Sequence, residues 1–472
     1  MTRWLSMLVC LLALLPGLAA ARLVGPLEVW QQPAGGRDLP EIRRSGELRV
    51  LVNQSRNASG EVKGEAIGVE ALRLRAFVQY LNRRGEGRGE IVLKLVPKPK
   101  DQLLAALLRG EGDLVAPGER LDSAGVRGVA RSRPVVAQVP LVLVGAQGGR
   151  RFASFEQLSG RSLALAPGSA AGQGLARINE QLMQQRRSPI AVEWVDASLA
   201  VEDVLEMVQA GIYPATVVEL PIARRWARVM PRLRIEQAVT LGEPADMHWF
   251  FRREASLLQA AGDGFLRDYR PPANVDAGFE RVYRRLYKVH YPLDRTGRAR
   301  LEKVRPALQQ HAEALDFDWL GLAALAFKES TFNPAARGAG GAVGLMQVMP
   351  ETARSVGVTN LQSVDGNVLA SARYLARIRK DYFSSPRLNE RERMAFILAA
   401  YNIGPQRVQS LRAEARRRGL NPDQWFFQVE RLAMETLGMG VVSYVNAVNK
   451  YYVAFARERY LLEAGTARSA SR

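Results

Sequence analysis

Cysteine is almost missing from the chain: among 472 residues the only one is Cys10. It lies in an N-terminal stretch with the layout of an export signal. Arg3 gives the positive start, Leu5 to Leu15 is almost wholly apolar, Pro16-Gly17 breaks the run, and Leu18-Ala19-Ala20-Ala21 offers small residues for cleavage. The apolar run is well short of the ~20 residues that span a bilayer, so it is a signal peptide (1–21) rather than a membrane helix. Leu8-Val9 precede Cys10 where a lipid-attachment site needs small residues. Processing would leave no cysteine, which excludes disulfides and thiolate catalysis and fits a bacterial periplasm. Histidine is scarce too. His248, His290 and His311 are scattered without metal-ligand spacing, so neither a metal nor a cofactor is expected. No later run is long and apolar enough to span a membrane, and there is no internal repeat or low-complexity segment.

What is present is an ordinary soluble composition, 47% hydrophobic and 24% charged, long enough for two or three cored domains. Lys and Arg (66) outnumber Asp and Glu (47), for a net charge of +19. Such a chain attracts polyanions, whether anionic lipid or an acidic wall polymer. The export signal argues against nucleic acid as a partner.

After an N-terminal extension (22–45), strands and helices alternate from residue 46 to 270. Strands are expected at Leu48–Val52, Ile91–Val96, Asp113–Ala116, Val135–Val144, Leu163–Ala166, Val192–Val195, Ala215–Val218 and His248–Phe251. Helices are expected over Gly68–Leu81, Asp101–Leu108, Val201–Gln209 and after Ala255, with a polar stretch at Gln181–Ser188. This spacing implies βαβ units and a mostly parallel sheet. Arg270-Pro271-Pro272 breaks the pattern. A linker helix (271–299) then places Phe279, Val282, Tyr283, Leu286 and Tyr287 on one face. Residues 300–460 read as all-helical, and 461–472 as a frayed tail.

Three blocks of the helical region carry chemistry. The first is an apolar helix from Asp318 that ends in Glu329-Ser330 and stops at Asn333-Pro334. A carboxylate beside a helix C-terminus meets the negative end of the dipole, and partial burial against Phe327 or Phe332 raises its pKa further. That suits a group which donates and then accepts a proton near neutral pH. The second is the Gly-rich run from Gly338 to Gly344-Leu345-Met346-Gln347, which admits close backbone approach and lacks the Lys-Ser/Thr of a phosphate loop. The third, Ala400-Tyr401-Asn402-Ile403-Gly404, offers a phenol and an amide to sugar hydroxyls and acetamido groups.

In this order and spacing, with Tyr444-Val445 as a fourth block, residues 300–455 resemble the lytic transglycosylase domain of the soluble type, a relative of goose-type lysozyme. The resemblance implies cleavage of the MurNAc-GlcNAc β-1,4 bond of peptidoglycan without water. Glu329 would protonate the glycosidic oxygen and then take the proton of the MurNAc C6 hydroxyl, which closes on C1 to give a 1,6-anhydro end. Gly344, Met346, Gln347, Tyr401 and Tyr444 would bind sugar and orient the reacting groups, with Ser330 and Asn402 supporting the acid. One position departs from the family: the Glu usual four residues before the tyrosine is Gly440 here, and Glu435 is out of register. A lysozyme-type hydrolase and a catalytically silent glycan sensor remain the alternatives.

Residues 46–270 look like the bacterial solute-binding proteins that hold polar amino acids between two α/β lobes. Gly46 to Val52 and Gly110-Glu-Gly-Asp-Leu-Val-Ala116 carry that likeness. It implies Arg120 for a ligand carboxylate and Glu219 for its ammonium, with Arg127, Arg131 or Arg133 as substitutes for the first. The fold expected is thus an α/β two-lobed periplasmic-binding-protein-like domain followed by an all-α lysozyme-like domain. That domain order resembles the membrane-bound lytic murein transglycosylase F family. The resemblance implies peripheral attachment to the inner face of the outer membrane and a muropeptide or small amphoteric ligand in the first domain.

Overall fold

The computed structural model describes residues 37–463, apart from 57–59, 63–64, 67, 86–88, 124, 274 and 285–291. The expected signal peptide and residues 22–36 lie outside the described residues.

Lobe one opens with α1 (Leu39–Ser45). Asp38 caps it, Glu41 returns a bond to the Asp38 N–H, and Gly46 ends it at φ 67°. Asp38 also accepts from the Leu257 and Leu258 N–H groups (3.0 and 2.7 Å), so this part of the expected extension is built into the lobe. β1 (Glu47–Asn53), the short pair β2 (Glu61–Val62) and β3 (Glu65–Ala66), α2 (Val69–Arg83), β4 (Val92–Lys98), α3 (Leu103–Leu108), β5 (Leu114–Ala116) and β6 (Val129–Arg131) follow. The chain crosses at β7 (Val136–Val139) into lobe two. That lobe comprises β8 (Leu141–Ala146), β9 (Ser162–Leu165), α4 (Ala171–Gln184), β10 (Ala191–Trp194), α5 (Val201–Gln209), β11 (Ala215–Glu219), α6 (Leu220–Val229) and β12 (Leu233–Thr240). β13 (Ala245–Met247) returns beside β7, and β14 (Phe250–Arg252) and α7 (Ser256–Asp268) complete lobe one.

Three expectations need correction. Residues 135–144 are two strands, because Pro140 has no N–H to give and the chain changes sheets there. The expected mostly parallel sheet is two sheets, ordered β4-β1-β5-β14-β6 and β10-β9-β11-β8-β12, each with four strands running one way and one against them. Each takes in an antiparallel strand, β14 or β8, where the chain arrives from the other lobe. The polar stretch from Gln181 begins as the last turn of α4, whose buried residues are Ala171, Leu175 and Leu182.

α8 (Val275–Tyr283) packs on lobe two, with Phe279 and Tyr283 4.8 and 5.1 Å from the Trp226 ring. Leu286 and Tyr287 lie outside the described residues. The helical domain comprises α9 (Arg295–Ala314), α10 (Trp319–Ser330), α11 (Pro350–Ser355), α12 (Val364–Tyr382), α13 (Glu390–Ile403), α14 (Pro405–Arg417), α15 (Glu430–Thr436) and α16 (Met439–Arg457). Asp294, Asp318, Ser363 and Asn389 cap α9, α10, α12 and α13 with side-chain oxygens. α10 is buried without interruption from Trp319 to Phe327, as a helix apolar all round must be. Leu462 is buried in the same core, so the expected fray does not begin at 461.

Lobe two and the helical domain meet through buried charges. Lys450 of α16 pairs with Glu206 of α5 and lies 3.5 Å from Asp203. Arg56 of lobe one enters the same cage, 2.8 Å from Asp203 and 3.2 Å from Glu430, while its N–H donates to Glu202 (2.7 Å).

Candidate active site

α10 delivers Glu329 to the edge of the helical core. The helix stops because Thr331 and Phe332 turn left-handed (φ 53° and 60°), and Phe332 then buries its ring against Phe327. Burial of the Glu329 carboxyl pushes its pKa up, only partly opposed by a hydrogen bond from the Tyr444 hydroxyl and by the Lys328 ammonium. Tyr444, on the first turns of α16, donates to Glu329 Oε1, and Lys328 Nζ lies 5.1 Å from the centre of the Tyr444 ring.

The Gly-rich block is a tight loop held from below. Gly344 has φ +80°, and a Cβ there would stand 2.3 Å from Asn367 Nδ2. Asn367, buried on α12, accepts from the Met346 N–H (2.8 Å) and donates to the Val343 and Leu361 carbonyls (2.9 and 3.2 Å). Tyr401 at the end of α13 donates to the Met346 carbonyl (2.9 Å) and accepts from Ser371 Oγ (3.3 Å). Burial and the neighbouring Glu329 both push the Tyr401 phenol up. Ser330 Oγ donates to the Leu345 carbonyl (2.7 Å) and accepts from the Asn333 N–H (3.0 Å), tying the loop to the end of α10. Gln347 Nε2 donates to the Gly344 and Ala336 carbonyls (2.8 and 3.2 Å).

The structure therefore gathers Glu329, Ser330, Gly344, Gln347, Tyr401 and Tyr444. The Met346 side chain, expected to bind sugar, is fully buried in the core, because its backbone and not its thioether faces Tyr401. Asn402 is exposed, without a side-chain hydrogen bond among the described residues. Gly440 is exposed too, and a Cβ there meets nothing within 4 Å. Glu435 does not fill the place of the expected carboxylate, since Arg418 holds it (2.9 Å). Asn367 is the residue the sequence reading missed. Its one signal is a buried-face amide within an otherwise amphipathic helix.

Between the lobes, Arg120 and Glu219 do meet, but by an unexpected route. Glu219 accepts from the Arg120 backbone N–H (2.8 Å), and the guanidinium donates to the Val139 carbonyl (3.2 Å). The Lys100 ammonium bonds Glu119 (2.8 Å) and lies 3.9 Å from Glu219. A cation of the chain itself thus stands where the resemblance puts a ligand's ammonium. The cavity beside it, closed in part by Phe427 of the helical domain, measures about 60 Å³. Among the described residues no cluster of His, Asp and Glu could hold a metal.

A family model described as Transglycosylase SLT domain matches residues 306–423, a span that includes Glu329, Gln347 and Tyr401 and ends before Tyr444. Along most of its length the chain is similar to proteins named membrane-bound lytic murein transglycosylase F. That of Saccharophagus degradans is 28% identical over 398 residues, covering 82% of this chain and 75% of the relative. That of Hahella chejuensis is 24% identical, covering 92% and 86%, and that of a Yersinia pestis strain 29% identical, covering 89% and 83%. Solved structures that align with half of the chain include an ancestral arginine-binding protein bound to arginine (18% identity, 50% of this chain and 97% of that one, TM-score 0.40). The ancestral amino acid-binding protein AncCDT-1 aligns similarly (18%, 52% and 98%, TM-score 0.41).

Proposed function

We propose that this chain, a lytic murein transglycosylase with a solute-binding-like lobe pair ahead of its catalytic domain, cuts the MurNAc-GlcNAc β-1,4 bond and leaves 1,6-anhydroMurNAc ends. The observation that carries the reading is Glu329: a half-buried carboxyl of raised pKa, in contact with one phenol. Among the described residues no second carboxylate bonds to Glu329, Tyr401 or Tyr444. Most glycosidases set two carboxylates across the bond. A single one must serve both proton transfers, first as acid to the leaving oxygen and then as base to the C6 hydroxyl. A raised pKa makes both steps accessible near neutral pH. Tyr444 holds the carboxyl in place, while Tyr401 and Ser330 fix the loop whose backbone and Gln347 would meet the sugar. The reading extends to cell-wall remodelling in the periplasm, with the protein peripheral to the inner face of the outer membrane.

Digestion of purified sacculi followed by mass spectrometry tests it. Anhydro ends lack one water relative to hydrolysed ends, so a lysozyme-type product would refute the reaction. Glu329→Gln should slow digestion by about 10²–10⁴-fold, the usual worth of a positioned acid/base. Equal clearing by the variant would refute the assignment of the acid.

A further inference from the structure

The pole of lobe two opposite the cleft holds a pocket that the glycan chemistry does not use. It opens where β8 ends and where β9 and β11 begin, whereas Glu219 marks the cleft at the far end of β11. Its volume is about 490 Å³, within the range of small-ligand sites. Phe152, Leu158, Val208 and Tyr213 make an apolar floor, and Arg150 and Arg161 stand at its sides. No acidic residue lines it.

Both guanidinium groups lie over the Phe152 ring, 5.7 and 6.0 Å from its centre. Neither has an ion-pair partner among the described residues. The loop that carries Arg150 is built rather than loose. The Arg234 guanidinium donates to the carbonyls of Ala146, Gly149 and Arg150 (2.8, 2.9 and 2.5 Å) and is itself held by Glu236. Arg151 and Arg186 add exposed positive charge. Met183, 56% exposed, sits beside Arg186 at the same pole, where Arg187 reaches the Glu156 carbonyl.

Two cations converging on an apolar hollow without a counter-charge fit an anion that carries an apolar body. Guanidinium groups bind phosphate oxygens in a fork, and an exposed apolar side chain ringed by arginines suits the headgroup layer of a bilayer. We propose that this pocket takes the phosphate headgroup of an anionic phospholipid, and so docks the pole of lobe two on a membrane surface.

Co-sedimentation of the purified protein with vesicles tests this. Phosphatidylethanolamine vesicles containing phosphatidylglycerol should pull the protein down, and the same vesicles with phosphatidylcholine instead should not. Binding should weaken as salt rises. Arg150→Glu with Arg161→Glu should lower partition by about tenfold or more, as expected from roughly 1 kcal/mol per basic residue at an anionic surface. The milder Arg150→Gln/Arg161→Gln pair should give a smaller loss. Unchanged thermal melting and unchanged digestion of soluble glycan strands would exclude misfolding of either variant. Equal binding by wild type and both variants, or no preference of the wild type for the anionic vesicles, overturns the proposal. Release from vesicles by millimolar inorganic phosphate, with the same affinity for phosphate alone, would make it a free-anion site and overturn the lipid assignment.

Discussion

Tyr444→Phe isolates one hydrogen bond at the proposed acid, Glu329. The tyrosine hydroxyl donates to Glu329 Oε1, and that bond favours the ionised form. A hydrogen bond to a charged group contributes about 1.5–3 kcal/mol, and ~1.4 kcal/mol corresponds to one pH unit. Without it, burial is opposed only by the Lys328 charge, so the Glu329 pKa should climb by a further ~1–2 units. Phenylalanine keeps the ring on which Lys328 rests. The sign follows from the proposed first step: as the acid, Glu329 would have to be protonated, so the alkaline limb of kcat/KM should move upward by that ~1–2 units. At neutral pH kcat should fall, because the carboxyl loses its orienting partner and becomes a poorer donor. The assay is release of soluble muropeptides from sacculi between pH 5 and 9, for wild type and variant. An alkaline limb that stays in place, or shifts downward, would refute the role given to Tyr444.

Three further outcomes follow from the packing. Gly344→Ala places a Cβ against Asn367 Nδ2 at a left-handed backbone position, which costs ~1–2 kcal/mol in backbone alone. Denaturant unfolding should show a loss of about 3 kcal/mol together with lost activity, and a change below ~0.5 kcal/mol would contradict the geometry. Arg56→Ala leaves Glu202, Asp203 and Glu430 short of a buried cation, and should lower stability by ~3–5 kcal/mol in the same measurement. Glu392 is pushed up to about 7 by burial, although the Trp425 and Phe426 N–H groups donate to it. A carboxyl whose folded pKa is raised loses stability as pH climbs from its ordinary 4.5 through about 7, by at most ~3 kcal/mol. Glu392→Gln should therefore narrow the gap in Tm between pH 5 and pH 8. An unchanged gap would place the titration elsewhere.

The apolar run from Trp319 to Phe327 made α10 legible, since nine successive residues without a polar face can only be interior. Glu329 was legible because the chain changes character directly after it. The blocks around Gly344 and Tyr401 were found as composition, but what each side chain does was not. Gly344 is required by Asn367, which lies 23 residues further on in α12, and Met346 contributes its carbonyl rather than its side chain. Contacts of that range leave no periodic trace. The strand break at Pro140 carried a local signal that the apolar run around it hid. Nothing near Lys100 in the sequence shows that Glu119 and Glu219 lie beside it.

Two helices that carry site residues touch lobe two: α13, through Arg391 and Asp196 (2.7 Å), and α16. α16 carries Tyr444 at its start and Lys450 six residues later, about 9 Å along the axis. Lys450 is fixed in lobe two by Glu206 and Asp203. Tyr451 meets the Phe327 ring edge-on at 4.8 Å, two residues before Glu329 on α10. The contact of Lys450 with lobe two and the bond of Tyr444 to Glu329 thus lie on one helix, under two turns apart. The cage that fixes Lys450 is itself tuned by protons. Its four carboxyls, on Glu202, Asp203, Glu206 and Glu430, face two cations, Arg56 and Lys450. Burial pushes Glu202 up to about 7 and raises Glu206 and Glu430, whereas Arg56 and Lys450 hold Asp203 low. Arg56 reaches this cage from lobe one, so a relative movement of the lobes would expose carboxyls that ionise readily once in water. Holding Lys450 thus depends on carboxylate charge at Asp203 and Glu206, which protonation would remove.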